Sequence, residues 1–296
     1  MDHFLMQQIP LHGCSVDIPS DAKWKQKGYT VAGGNGKGRR FHQLSNPFGL
    51  YVTNERVGKV IAGGNDSGSA ADQLSFPNDV VLDEEDDSLI IADSGNRRVV
   101  RWARRNATSG TTIISDIDCI GVAVDDSGAL YVVDRIRHEV KQYRKGDTMC
   151  TIVAGGNGKG EALNQLSSPA YVFVDQNHSV YVSEWDNNRV TRWDKGISQA
   201  TIVEGGNGQG SDANQLSRPI GIVVDRMGNE YVADRCNNRI MRWLKDELHG
   251  SVIIDNSAHG SLVHELSYPE AISFEPQGNL YVVDKGHSRV QKFNIT

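Results

Sequence analysis

The sequence predicts an all-β fold built as an array of four-stranded units, and three observations predict it. First, one phrase returns along the chain. It reads TIVAGGNGKGEALNQLSSP at 151–169, TIVEGGNGQGSDANQLSRP at 201–219, TVAGGNGKGRRFHQLSNP at 30–47 and VIAGGNDSGSAADQLSFP at 60–77, and fades to IIDNSAHGSLVHELSYP at 253–269. Residues 151–193 and 201–243 share 22 identities in 43 positions. A period of this length marks a repeat architecture. Second, the residues after each phrase form short alternating or β-branched runs bounded by Gly, Asn and Asp, the pattern of antiparallel strands. Third, the last unit lacks a fourth strand, while the first fragment, Tyr29-Thr30-Val31-Ala32, is a fourth strand without its first three.

Residues 1–27 carry no repeat and are expected to form an irregular arm, with Trp24 as its anchor; residues 28–296 are expected to form a single domain. The clearest unit places strands at 170–174, 180–183, 189–193 and 201–203. Five units carry the first three strands, beginning near Asn78, Ile120, Ala170, Ile220 and Glu270. A landmark recurs between the second and third: Asp93-x-x-Asn96-x-Arg98, Glu184-x-x-Asn187-x-Arg189, Asp234-x-x-Asn237-x-Arg239 and Asp284-x-x-His287-x-Arg289. One unit is short. Pro47 to Pro77 spans 30 residues where Pro169 to Pro219 spans 50, so its second and third strands are missing. At the ends, strand 29–33 is expected to pair with 289–293, which removes an exposed sheet edge.

Units of this length with this landmark resemble the NHL-repeat family over roughly residues 28–296, and the GGNGxG…NQLSxP loops are similar to those of tandem NHL-repeat proteins. The resemblance implies an NHL-type β-propeller. The expected form has five full blades plus one truncated blade, a six-bladed ring degenerate at blade one and closed by strand 29–33. The family includes RNA-binding modules of ubiquitin ligases, extracellular sensor domains and a metal-dependent amidating lyase, so it implies fold more narrowly than function.

Composition narrows the function classes. The 296 residues carry a net charge of −6, which is no footprint for non-specific nucleic-acid binding; a DNA partner is not expected. No apolar run is long enough to span a membrane, and the N-terminal stretch does not read as a signal peptide, so a cytoplasmic location is the default expectation. Cys14, Cys119, Cys150 and Cys236 sit in different repeat slots and read as free thiols.

Chemistry-bearing motifs are few. GGNGKG is no phosphate loop, because the Lys-Ser/Thr ending is missing and the phrase repeats; it reads as a tight turn. The carboxylate–arginine pairs Asp93/Arg98, Glu184/Arg189, Asp234/Arg239 and Asp284/Arg289 recur, which argues for structural clamps rather than catalysis. The second full unit breaks the pattern, with Arg137 and Glu139 in place of Asn and Arg. No histidine pair has metal-ligand spacing; His138 and His287 occupy different loop positions and His178 lies in a turn at the other face, so neither metal nor cofactor is expected. The acidic run Asp83–Asp87 lacks calcium-loop spacing.

What remains is surface. Inter-blade loops and the loops between second and third strands share one face, carrying Arg135, Arg137, Trp185, Asp186, Arg235 and His287 near the centre, and Lys37, Arg39, Arg40 and Lys159 farther out. These positions vary on a repeated frame, which is where specificity resides. The reading is a non-enzymatic scaffold binding a protein or peptide. The alternatives are single-stranded RNA, read by the arginines with Trp185, and a metal-dependent lyase or hydrolase.

Overall fold

The computed structural model describes residues 16–38, 43–45, 47–50, 60–147, 149–255 and 265–296. Among these residues lie five four-stranded antiparallel sheets, four of them meanders in strand order. The first sheet is β2 (Pro77–Asp83), β3 (Ser88–Asp93), β4 (Arg98–Ala103) and β5 (Thr111–Ser115). The second is β6 (Cys119–Val124), β7 (Leu130–Asp134), β8 (Glu139–Tyr143) and β9 (Thr151–Gly155). The third is β10 (Pro169–Val174), β11 (Val180–Glu184), β12 (Arg189–Trp193) and β13 (Thr201–Gly205). The fourth is β14 (Ile222–Val224), β15 (Glu230–Asp234), β16 (Arg239–Trp243) and β17 (Ser251–Ile254). The fifth joins β18 (Pro269–Phe274), β19 (Leu280–Asp284) and β20 (Arg289–Phe293) to β1 (Tyr29–Gly33). Tyr29 stands opposite Lys292 and Gly33 opposite Arg289, the pairing that the complementary chain ends predict.

The six-bladed ring is not what the structure shows: among the described residues the blades are five. The short unit falls partly on 51–59, outside the described residues, and its described ends at 47–50 and 60–64 form no strand. The physical reason is that a single first strand has no second or third strand to pair with, so it cannot make a blade. Its start is nevertheless used. Leu50 packs with Ala271, Tyr281 and Val283 of the fifth sheet. Gly49 lies so close to the first sheet that a Cβ there would meet Asp79 Cα at 2.7 Å.

The arm is anchored by Trp24, which is buried, donates from Nε1 to Gly278 O at 3.0 Å and stands edge-on to Tyr231. Lys25 N–H donates to Asn294 O and Thr296 N–H to Lys23 O, both at 2.9 Å, so the arm runs against the C-terminal residues.

The landmark residues converge on one device. Arg239 Nε donates to Asp234 at 2.7 Å, and its other nitrogens donate to Ser211 O at 2.7 Å and Gln215 O at 3.1 Å in the preceding inter-sheet loop. Asn237 donates both to Asp234 at 2.8 Å and to Gly210 O at 2.7 Å. The free Asp234 oxygen accepts from Ser217 N–H at 2.7 Å. The pairs Arg98–Asp93, Arg189–Glu184 and Arg289–Asp284 repeat the 2.7 Å contact over carboxylates with no exposed side-chain surface. Each clamp therefore ties a loop between second and third strands to the loop that enters its own sheet. Burial still wins over these partners at Asp234 and Glu184, lifting both above the usual carboxylate range. In the second sheet, where Glu139 replaces the arginine, the cation comes from Lys141, two residues along, at 2.8 Å from Asp134.

A buried carboxyl pair departs from the repeat. Glu204 occupies the slot of Ala32, Ala62 and Ala154, and Glu230 that of Leu89, Leu130, Val180 and Leu280. Both are buried, and they interact across the junction of the third and fourth sheets. Neither oxygen of Glu204 has a donor among the described residues. Burial first, then the like charge of Glu230, pushes Glu204 well up; burial lifts Glu230 to about 7. The pair meets by keeping a proton.

Two predictions follow from these carboxylates. Arg239→Ala strands a buried carboxylate, at a cost of roughly 3–5 kcal/mol, and should lower the melting temperature by about 10 °C. Arg137→Ala removes only an exposed group 3.8 Å from Asp134 and should change it by less than about 2 °C. Equal shifts in thermal unfolding would contradict the clamp role. Because the Glu204–Glu230 carboxyls titrate higher folded than unfolded, folding takes up protons. Their stabilising protonation is complete below the unfolded value and is lost as pH rises through the folded values. The melting temperature should therefore fall between about pH 4.5 and 7, and Glu204→Ala should flatten that fall and raise stability at pH 7; an unchanged pH profile would refute the assignment. Asp79, lifted to about 7 by burial, leaves a residual slope of the same sign.

Candidate ligand-binding face

At the loop end of the array the five sheets surround a cavity of about 830 Å³. The first, second, third and fifth sheets each contribute the start of their first strand and the loop between their second and third, and the fourth contributes Ile220 just before its first strand. Apolar wall comes from Phe48, Ile120, Tyr171 and Ile220, and polar groups from Arg135, Asp186, Glu270 and Lys285. Phe76 and Ile136 at its edge are 69% and 63% exposed.

The position of these side chains follows from the repeat. In four copies the x of (Q/E)LSxP is Phe76, Ser168, Arg218 and Tyr268. All four adopt left-handed backbone, with φ of 44°, 49°, 53° and 51°. Such φ is uncommon for bulky residues and needs support from its surroundings. Support is visible at three of them. Ser168 N–H donates to His138 Nδ1 at 3.2 Å, Arg218 N–H to Asn188 Oδ1 at 2.9 Å and Tyr268 N–H to Asn238 Oδ1 at 2.9 Å. The loop of one sheet thus pins the strand entry of the next and turns the x side chain toward the shared face. Burial first, and then the nearby Lys159 charge, lowers His138, which suits a neutral ring accepting at Nδ1.

Of the expected face residues, Arg135, Trp185 and Asp186 line the cavity. Arg135 pairs with Asp118 at 3.2 Å, and Asp186 is held by Lys159 at 2.8 Å, which keeps its carboxyl below the usual range. Arg235 stands beside the cavity with its guanidinium 4.7 Å from the Trp185 ring and 4.7 Å from the Tyr268 ring. Arg218 lies 5.5 Å from the Trp185 ring. Arg137 points to Asp134, and His287 contacts Asp284 at 3.0 Å within a clamp; neither lines the cavity. Lys37 bridges to Leu44 in the inter-sheet loop, away from the cavity. Arg39 and Arg40 lie outside the described residues.

Phe48, Phe76, Arg218, Tyr268, Glu270 and Lys285 were not singled out by sequence reasoning. Glu270 accepts from Arg235 and Lys285 at 3.0 Å each through Oε1, while its buried Oε2 has no hydrogen-bond partner among the described residues. The Lys285 ammonium also sits 3.3 Å from the Phe48 ring centre. The usable signal was the variable x in an otherwise constant phrase.

The NHL-repeat sequence pattern matches residues 216–242 and 266–293. No curated protein sequence matches the chain. Among solved structures, a protein of unknown function from Bacteroides thetaiotaomicron superposes with a TM-score of 0.69 at 14% identity, covering 93% of this chain and 77% of that one. An auxiliary nutrient binding protein from the same organism gives 0.61 at 17% identity, over 77% of this chain and 61% of that one. An inactivated virginiamycin B lyase from Staphylococcus aureus with quinupristin gives 0.55 at 13% identity, over 76% and 67%. At such identities the likeness concerns the fold alone, and the chain spans under two thirds of the nutrient-binding protein. Two stretches that match the NHL repeat and five four-stranded sheets among the described residues are consistent with the NHL-repeat β-propeller family.

Proposed function

We propose that this propeller is a non-enzymatic binding module whose cavity at the loop face takes a segment of a protein or peptide. The observation that supports the reading is the edge of that cavity: exposed Phe76 and Ile136 line it, and exposed Tyr268 stands beside it against Arg235, on a frame of clamps and pinned strand entries. Exposed apolar side chains grouped around a concavity mark interaction sites, whereas scattered ones do not. Buried Glu270 Oε2 at the cavity wall would accept an N–H, a group that every peptide offers. The single-stranded RNA reading is weakened by Trp185, whose ring is already engaged by Arg218 and Arg235 rather than left for a base. One histidine, His138, lines the cavity, and it is occupied with Ser168, which gives little support to the lyase reading.

Selection of peptides from a displayed library against the full chain tests the proposal. Recovered peptides should bind at least tenfold more weakly to Ile136→Asp and Tyr268→Ser, and equally well to Ile197→Asp in a turn at the opposite end. Peptides indifferent to the first two variants would overturn the site, and salt-sensitive binding of single-stranded RNA lost in Arg135→Ala would favour the RNA reading instead.

A further inference from the structure

The opposite end of the propeller carries a second constellation. Each sheet turns there from its first strand to its second, and an acidic residue organises the turn. Asp125 Oδ1 accepts from Ser127 N–H at 3.0 Å and Ala129 N–H at 2.9 Å, and Oδ2 accepts from Tyr131 OH at 2.9 Å. Asp175 and Asp225 repeat the backbone part of this arrangement. That much is structural.

Two residues in the second and third sheets depart from the repeat. Asp126 stands where the later turns have Gln176, Arg226 and Pro276. His178 stands where the turns of the second, fourth and fifth sheets have Gly128, Gly228 and Gly278. Those glycines have φ of 77°, 86° and 80°, and His178 keeps the left-handed backbone at 60°. A histidine is therefore held where those three turns use glycine, and its ring reaches the turn of the neighbouring sheet. Nδ1 lies 3.2 Å from Asp125 Oδ2 and 3.8 Å from Asp126 Oδ1, and the three atoms all fall within 4.8 Å of one another.

Those separations suit a common metal ion. Ligands about 2.0–2.1 Å from a tetrahedral zinc ion stand about 3.4 Å apart, between the two measured distances. One imidazole and two carboxylates form a borderline donor set that suits zinc better than calcium, which takes six or more oxygens. Tyr131, with its hydroxyl on Asp125, would orient that carboxylate from behind, as outer hydrogen bonds do at metal sites. His178 also borders a groove of about 420 Å³ between the second and third sheets.

We propose that Asp125 Oδ2, Asp126 Oδ1 and His178 Nδ1 bind a divalent cation of the zinc class and fasten the second sheet to the third. The site is independent of the loop-face cavity. The competing reading is a plain histidine–carboxylate ion pair, which needs no metal.

Calorimetric titration of zinc chloride into the chelator-treated full chain separates the two. The site predicts one zinc ion per chain and a melting temperature raised by zinc. His178→Gly, which restores the residue of those three turns and so preserves the fold, and Asp126→Asn should each weaken zinc at least tenfold and abolish the thermal shift. No stoichiometric zinc in the wild-type chain, or zinc bound equally well by either variant, would overturn the proposal. Calcium chloride binding as tightly as zinc would overturn the metal class.

Discussion

A three-stranded sheet at the end of an array leaves an open edge, and here that edge is covered by residues from the other end of the chain. The pairing of Tyr29–Gly33 with Arg289–Phe293 joins segments about 260 residues apart and completes the fifth sheet. Unpaired strand edges invite association with other chains, and propellers keep theirs short and protected. The arm before β1 continues the attachment, because Trp24 packs among Tyr231 and Phe274 while its neighbours bond to residues 294–296. After β1 the chain passes Leu44 and Leu50 against the fifth sheet and reaches the first. The described residues between 16 and 50 thus connect the fifth sheet to the first.

The clamps extend the same logic to four of the five sheets. A buried carboxylate costs desolvation and is tolerated only when its lone pairs are used. Each of these carboxylates uses them on an arginine, an inter-sheet loop N–H and, in three sheets, an asparagine. The result is a loop face whose backbone is fixed while its x residues vary. Such a frame would suit the proposed binding role, because the side chains that would touch a ligand are placed before it arrives.

Strand positions and clamps were legible because they repeat: Asp-x-x-Asn-x-Arg places all its donors within one loop, and the copies in four sheets exposed the pattern. The blade number was less so. A six-blade expectation rested on family resemblance, but the short unit lacks the strands that would make a sheet. The cavity was legible only in part. Trp185 and Arg235 are loop residues, yet their contact pairs positions 50 residues apart, and no local spacing announces it. The same holds for Glu204 with Glu230, and for Asp125 with His178. Each of these pairs spans two sheets, so its partners come together only once the repeats stack. A misplaced residue in an otherwise constant slot was the one hint available, and it becomes informative when two such slots prove to be neighbours.

The dependence of the array on its shared sheet is tested most directly by thermal unfolding of the full chain beside variants lacking residues 1–27 and 1–34. The first removes the arm and keeps β1, whereas the second removes both. The full chain should unfold in one cooperative transition, the 1–27 deletion at a lower temperature but still cooperatively, and the 1–34 deletion broadly and without a single transition. Identical melting of the two deletions would contradict the account, because β1 would then contribute nothing beyond the arm that precedes it.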